Sequence, residues 1–254
     1  MRYRNYVYCL TFFFFAAGTT LHAQSAREIV NHYLDTVSKG NIHLWDNVKS
    51  MYTESVSSYS QNDFDAQISL TDVNKPTFNK TYKVYPDKTK RELYEDSTCA
   101  KKLSAFYFLK NETIIVFENQ PPIRKPSLEL DEFYSDFLPV QIWKLLDKSK
   151  SLKILSVKDF PVDESQCYEI QLITKGRKYL LYINTKTFLL DYWNGRDDED
   201  LTIMTGFKNY RRIDGFLMPM TEFMTRNGIV FFHDDTKKIE INPTIDPDIF
   251  EYKD

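Results

Sequence analysis

The chain has 254 residues, with 33 Lys and Arg against 36 Asp and Glu, three Cys and seven Gly. A net charge of −3 leaves no basic footprint for nucleic acid, and 42% hydrophobic residues with 15% aromatics are too many for a disordered chain. No two glycines are spaced for G-x-G-x-x-G, a P-loop or G-x-S-x-G, so dinucleotide, NTP and nucleophile-elbow chemistry lack their usual sequence support.

Met1 to Ala23 reads as a secretory signal peptide. Arg2 and Arg4 supply its positive start, Val7 to Ala17 its apolar run, and Leu21-His22-Ala23 its cleavage site. The run is shorter than the roughly 20 residues that span a bilayer. An exported, periplasmic chain of residues 24–254 is expected to form one domain, since no linker or repeat interrupts it. Two cysteines remain in it, Cys99 and Cys167. They allow one disulfide, and two free thiols are the alternative.

Ser25 to Lys39 has helical spacing, with Ala26, Ile29, Val30, Tyr33, Leu34 and Val37 on one stripe. Ser25 and Glu28 form a capping box, and Lys39 with Gly40 closes the helix. From Val48 the period changes to two. Phe64, Ala66, Ile68 and Leu70 alternate as a half-buried strand. Thr81 to Tyr85 and Lys90 to Tyr94 read as neighbours across a turn at Pro86 to Lys88, and Thr113 to Phe117 as a further strand. Pro-rich Gln120 to Ser127 reads as a loop or edge segment. Leu130 to Lys148 returns to helical spacing, broken or kinked at Pro139.

The final third is a run of hairpins. Tyr168, Ile170 and Leu172 alternate with Cys167, Glu169 and Gln171. Tyr179 to Ile183, Phe188 to Trp193, Ile203 to Arg212, Phe216 to Thr225, Ile229 to Phe232 and Lys237 to Ile241 follow, with turns at Asp214-Gly215 and Asn227-Gly228. Consecutive strands and tight turns predict an antiparallel meander. Thr113 to Phe117, Tyr179 to Ile183 and Ile229 to Phe232 are apolar on both faces. They must be covered twice or line a cavity, and a thick packed core meets that demand as well as a hollow does.

Metal and catalytic chemistry find little support. His32, His43 and His233 have no H-x-x-x-H spacing, His233-Asp234-Asp235 reads as a solvated turn, and Asp197 to Asp200 lacks calcium-loop spacing. Glu169 falls on the polar side of its strand, and Cys167 has no local His. No metal, cofactor or catalytic residue is implied.

The order of these pieces resembles the LolA-like, outer-membrane lipoprotein-sorting superfamily, in the form of its Bacteroidetes-type exported members. The resemblance lies in the opening helix, the strand Phe64 to Leu70 and the C-terminal motifs. These are Cys167-Tyr168-Glu169-Ile170, Tyr182 to Thr187, Tyr210 to Gly215 through Met218-Pro219, and Ile239 to Pro243 with Phe250. It implies an α+β fold. A strongly curved antiparallel sheet, a half-barrel, would be closed by the N-terminal amphipathic helix and a kinked lid helix. It also implies non-enzymatic carriage of a lipid or lipidated protein, with envelope membrane proteins as further partners. Each buried CH₂ is worth about 0.8 kcal/mol, so an acyl chain favours a preformed apolar hollow.

Periodicity nominates Ile29, Tyr33, Phe137, Ile142, Trp143 and Leu146 as lining residues from helices, and Tyr168, Ile170, Leu181 and Phe207 from strands. Trp143→Asp is then expected to lower acyl-probe binding while the fold survives. The rival reading is an exported protein-interaction or envelope-signalling module, in which the same side chains plug the hollow.

Overall fold

The structure, a computed structural model, describes residues 25–41, 43–60, 75–85, 88–126, 143, 146, 151–160, 164–174, 177–194 and 203–252. It opens with helix α1 (Ala26–Ser38). The Ser25 side chain accepts from the Glu28 backbone N–H and the Glu28 carboxylate accepts from the Ser25 N–H, so the capping box is complete. Lys39 itself takes the left-handed conformation at the C-terminus. All six stripe residues are buried. The five larger ones each contribute on the order of 2 kcal/mol of transfer free energy against the entropy of ordering, and Ala26 less.

Fifteen strands follow among the described residues. The first six are β1 (Ser50–Tyr59), β2 (Thr77–Val84), β3 (Lys88–Tyr94), β4 (Lys102–Phe108), β5 (Glu112–Phe117) and β6 (Ile123–Pro126). The next five are β7 (Leu152–Phe160), β8 (Ser165–Thr174), β9 (Arg177–Asn184), β10 (Leu190–Asn194) and β11 (Ile203–Lys208). The last four are β12 (Arg211–Ile213), β13 (Phe216–Met218), β14 (Thr221–Arg226) and β15 (Ile229–Ile241). The spans expected as single strands at Ile203 to Arg212 and Phe216 to Thr225 are each split in two. The inner pieces, β12 and β13, form a separate hairpin.

The other 13 strands make one open sheet, ordered β6-β5-β4-β3-β2-β1-β15-β14-β11-β10-β9-β8-β7, and its paired strands are antiparallel. Two meanders thus grow outward from the β1–β15 pair. β6 and β7 are consecutive in sequence yet stand at opposite edges. β1 and β8 are six steps apart, about 29 Å along a flat sheet. Both feed one cluster around α1, a cylinder only about 10 Å wide, so the sheet wraps around the helix.

Asn227 and Gly228 both have positive φ, 53° and 80°, as do Asp214 and Gly215 at 48° and 92°. These are the values a tight two-residue hairpin needs. The motifs quoted above are fasteners. Asn184 Oδ1 accepts from the Lys186 and Thr187 N–H groups and its amide donates to Asp191. Arg212 donates to Gly215 O and to Thr36 O, tying the β12–β13 hairpin to α1. Asn242 accepts from Lys49 N at 2.7 Å and donates to Asn47 O at 3.1 Å, locking the end of β15 to the start of β1.

The cysteine alternatives resolve as two free thiols. Cys99 follows β3 and Cys167 sits on β8, eight strands along the sheet, whereas a disulfide requires Cα atoms within about 7 Å. The reading of His233-Asp234-Asp235 is corrected: it lies inside β15 and is not a turn. Double coverage also fails at Ile229 and Val230, which are 59% and 38% exposed. The signal-peptide span, the strand Phe64 to Leu70, the kink at Pro139 and Asp197 to Asp200 lie outside the described residues.

Candidate functional site

Directly paired residues in a sheet share a face, so register alone sorts the side chains. The face that meets α1 carries Met51 and is called inner here. It has three zones.

The first zone is a buried apolar cluster. Ile29 and Tyr33 from α1 join Ile170, Leu181 and Phe207 from the sheet, and Trp143 and Leu146 from the segment between β6 and β7. Tyr168 packs at the margin of the same cluster. Eight of the nominated lining residues are thus brought together. Phe137 and Ile142 lie outside the described residues. Trp143 and Leu146 are helical and wholly buried. Trp143 Nε1 donates to Tyr33 Oη at 2.8 Å, and its rings stack on Phe216 and tilt against Trp45. Arg27 donates to Leu146 O at 2.8 Å, a second tie between α1 and this segment. Burial pushes the Tyr33 phenol well above its ordinary pKa, so it stays neutral as a partner for the indole. Trp143→Asp would strand a charge in that core, so the expectation that its fold survives is corrected.

The second zone is a polar row on β1, β2 and β15. Ser55 and Ser57 face Asn79 and Thr77 across the β1–β2 pair, and Ser57 faces Asp234 across the β1–β15 pair. Ser57 donates to Asp234. The Asn79 amide donates to Ser57 Oγ at 2.5 Å, and Arg91 reaches Ser57 at 3.4 Å. Asn79 is 1% exposed and Thr77 3%. Asn79 Oδ1 and Thr77 Oγ1 nevertheless have no hydrogen-bond partner. A buried polar atom left so costs about 1–3 kcal/mol.

The third zone is an aromatic wing on β3 to β6. Leu93, Phe106, Phe108, Ile115, Phe117 and Ile123 share the inner face by register. Phe106 stacks with Phe108 and meets Phe117 edge-on. Apart from Phe108 these residues keep solvent exposure, rising to 42% at Ile123. None of them belongs to the packed cluster. Sequence reasoning did not nominate this wing, because β4 carries no flanking hairpin signal. The alternation of Ser104, Phe106 and Phe108 was the available cue.

The outer face holds two compensated carboxylates. Burial pushes Glu169 up, but Lys158, Ser156 and Tyr182 outweigh it and hold the carboxyl below its ordinary range. Glu92 behaves alike: burial is overcome by Lys102, Lys90 and Tyr94. Carboxylates held low are poorly matched to general acid–base work near neutral pH. Among the described residues, no group of three or more His, Cys, Asp or Glu is placed to hold a metal ion.

No family model matches the sequence, and no curated protein matches it either. Solved structures do match its fold. A DUF1329 family protein from Desulfovibrio piger superposes with a TM-score of 0.60 at 13% identity, covering 90% of this chain and 98% of its own. A LolA superfamily protein from Nitrosomonas europaea gives 0.55 at 13% identity, covering 91% and 99%. A domain assigned to the outer membrane lipoprotein-sorting proteins, from Vibrio parahaemolyticus, gives 0.51 at 13% identity, covering 88% and 95%. The chain has a LolA-like fold.

Proposed function

We propose that this LolA-like half-barrel, exported as a single domain, is a non-enzymatic binding protein for a lipid or lipoprotein acyl group. The observation that carries the reading is the aromatic wing. Leu93, Phe106, Ile115, Phe117 and Ile123 offer a continuous apolar surface on the face the sheet wraps inward, beside the buried cluster under α1. The nominated core residues then shape and stiffen the hollow, and the wing receives the chain. The segment carrying Trp143 and Leu146 acts as the lid, anchored on α1 through Tyr33 and Arg27.

Phe106→Asp tests this directly. Phe106 lies opposite Arg91 in register, so an aspartate there has a cationic neighbour and the strand keeps its place. A fluorescent acyl probe titrated into the folded variant is expected to bind at least about tenfold more weakly than to the wild type. Wild-type affinity in the folded variant would remove Phe106 from the site.

The second reading is a protein-interaction or envelope-signalling module built on the same fold, with the buried first zone as the plug of its hollow. That reading expects no acyl-probe uptake by the wild type and capture of an envelope membrane protein in its place.

A further inference from the structure

We infer that the polar row on β1, β2 and β15 receives the head of the acyl ligand, and that this head is uncharged and bears hydrogen-bond donors. A glyceride hydroxyl and an amide N–H share that chemistry. The inference rests on the acyl-binding reading above and names the class of ligand it takes.

The row is rich in acceptors. Asn79 Oδ1 is buried and accepts nothing, and Thr77 Oγ1, two residues along the same inner face, is buried and unpartnered. Asp234 takes a hydrogen bond from Ser57 and has lone pairs to spare. A fatty-acid carboxylate would meet the Asp234 charge across this row, with Arg91 as partial compensation. A hydroxyl or amide head meets no such conflict. It supplies the donors that Asn79 Oδ1 and Thr77 Oγ1 lack, since buried polar groups in folded proteins are nearly always paired.

Position agrees with chemistry. Asn79 lies directly opposite Leu93, Leu93 opposite Ser104, and Ser104 opposite Phe117, all on the inner face. In the next row Thr81, Arg91, Phe106, Ile115 and Ile123 succeed one another. The polar row therefore runs without a break into the aromatic wing. An amphiphile with its head at Thr77 and Asn79 has its chain directed across β3 to β6.

The experiment compares three ligands of one chain length, 1-monolauroylglycerol, N-lauroylglycinamide and methyl laurate, by displacement of a fluorescent acyl probe. The wild type is expected to prefer at least one of the first two over the donor-free ester by about tenfold. Preference for the glyceride alone or for the amide alone supports the inference and identifies the source of the head. Thr77→Val and Asn79→Leu are expected to reduce the ratio to about one. Thr77→Val is also expected not to lower the thermal midpoint, because it removes an unsatisfied group. No head preference in the wild type, or a preference kept by both variants, would overturn the inference while leaving the acyl reading intact. Binding of none of the three ligands would overturn the acyl reading and this inference together.

Discussion

Trp143→Ala is expected to lower the unfolding free energy by about 3–5 kcal/mol. The indole is fully buried, stacked on Phe216 at 5.5 Å and tilted against Trp45 at 5.6 Å. Truncation leaves a cavity that rigid neighbours on α1 and β13 cannot close. It also strands the Tyr33 hydroxyl, which loses the N–H that donates to it. For a chain of this size the thermal midpoint should fall on the order of 10 °C. Trp143→Phe keeps the ring stack and loses only the indole N–H, so its loss should be clearly smaller. Equal losses would mean that the ring contributes little beyond its hydrogen bond.

Gly206→Val should cost about 3 kcal/mol by a different mechanism. A Cβ at Gly206 would lie 2.2 Å from Phe223 Cζ and 2.6 Å from both Cε atoms. The Phe223 ring lies flat over this glycine on the outer face, edge-on to Tyr192 and beneath the Lys208 ammonium. Any side chain at 206 must expel the ring, which adds overpacking strain to the loss of a buried aromatic. Thermal melts of Gly206→Val, Phe223→Ala and the double variant separate the two contributions. If the ring clash is the cause, Gly206→Val should cost far less once Phe223 is alanine. Additive losses would contradict it.

Gly206 also shows what the sequence could not reveal. It is a lone glycine inside an apolar strand, and nothing local says that a phenylalanine on β14 lies across it. Helix α1 was legible because its caps and its stripe are local signals, and both act as read. The Asn227-Gly228 hairpin was legible for the same reason. β4 and β7 were not, because they follow connections without Gly-Asn or Asp-Gly signals. The β3–β4 connection instead turns on Asp96, whose carboxylate accepts from the Thr98 N–H and Oγ1.

The site divides along the same line. Periodicity found residues that meet under α1, since a stripe identifies what a helix buries. It could not distinguish lining from plug; the structure brings these residues together in one buried cluster. The polar row escaped altogether. Ser57, Asn79 and Asp234 are far apart in sequence and meet only through the pairings β1–β2 and β1–β15. Asp234 and Asp235 looked solvated because adjacent acids usually are. Within β15, Ser57 satisfies the first and Thr221 the second.

Native mass spectrometry of the protein, purified without detergent, tests the central claim most directly. Acyl binding by the wing predicts a protein peak carrying a co-purified acylated species of defined mass, lost in Phe106→Asp. A bare wild-type protein that also takes up no added acyl probe would contradict it.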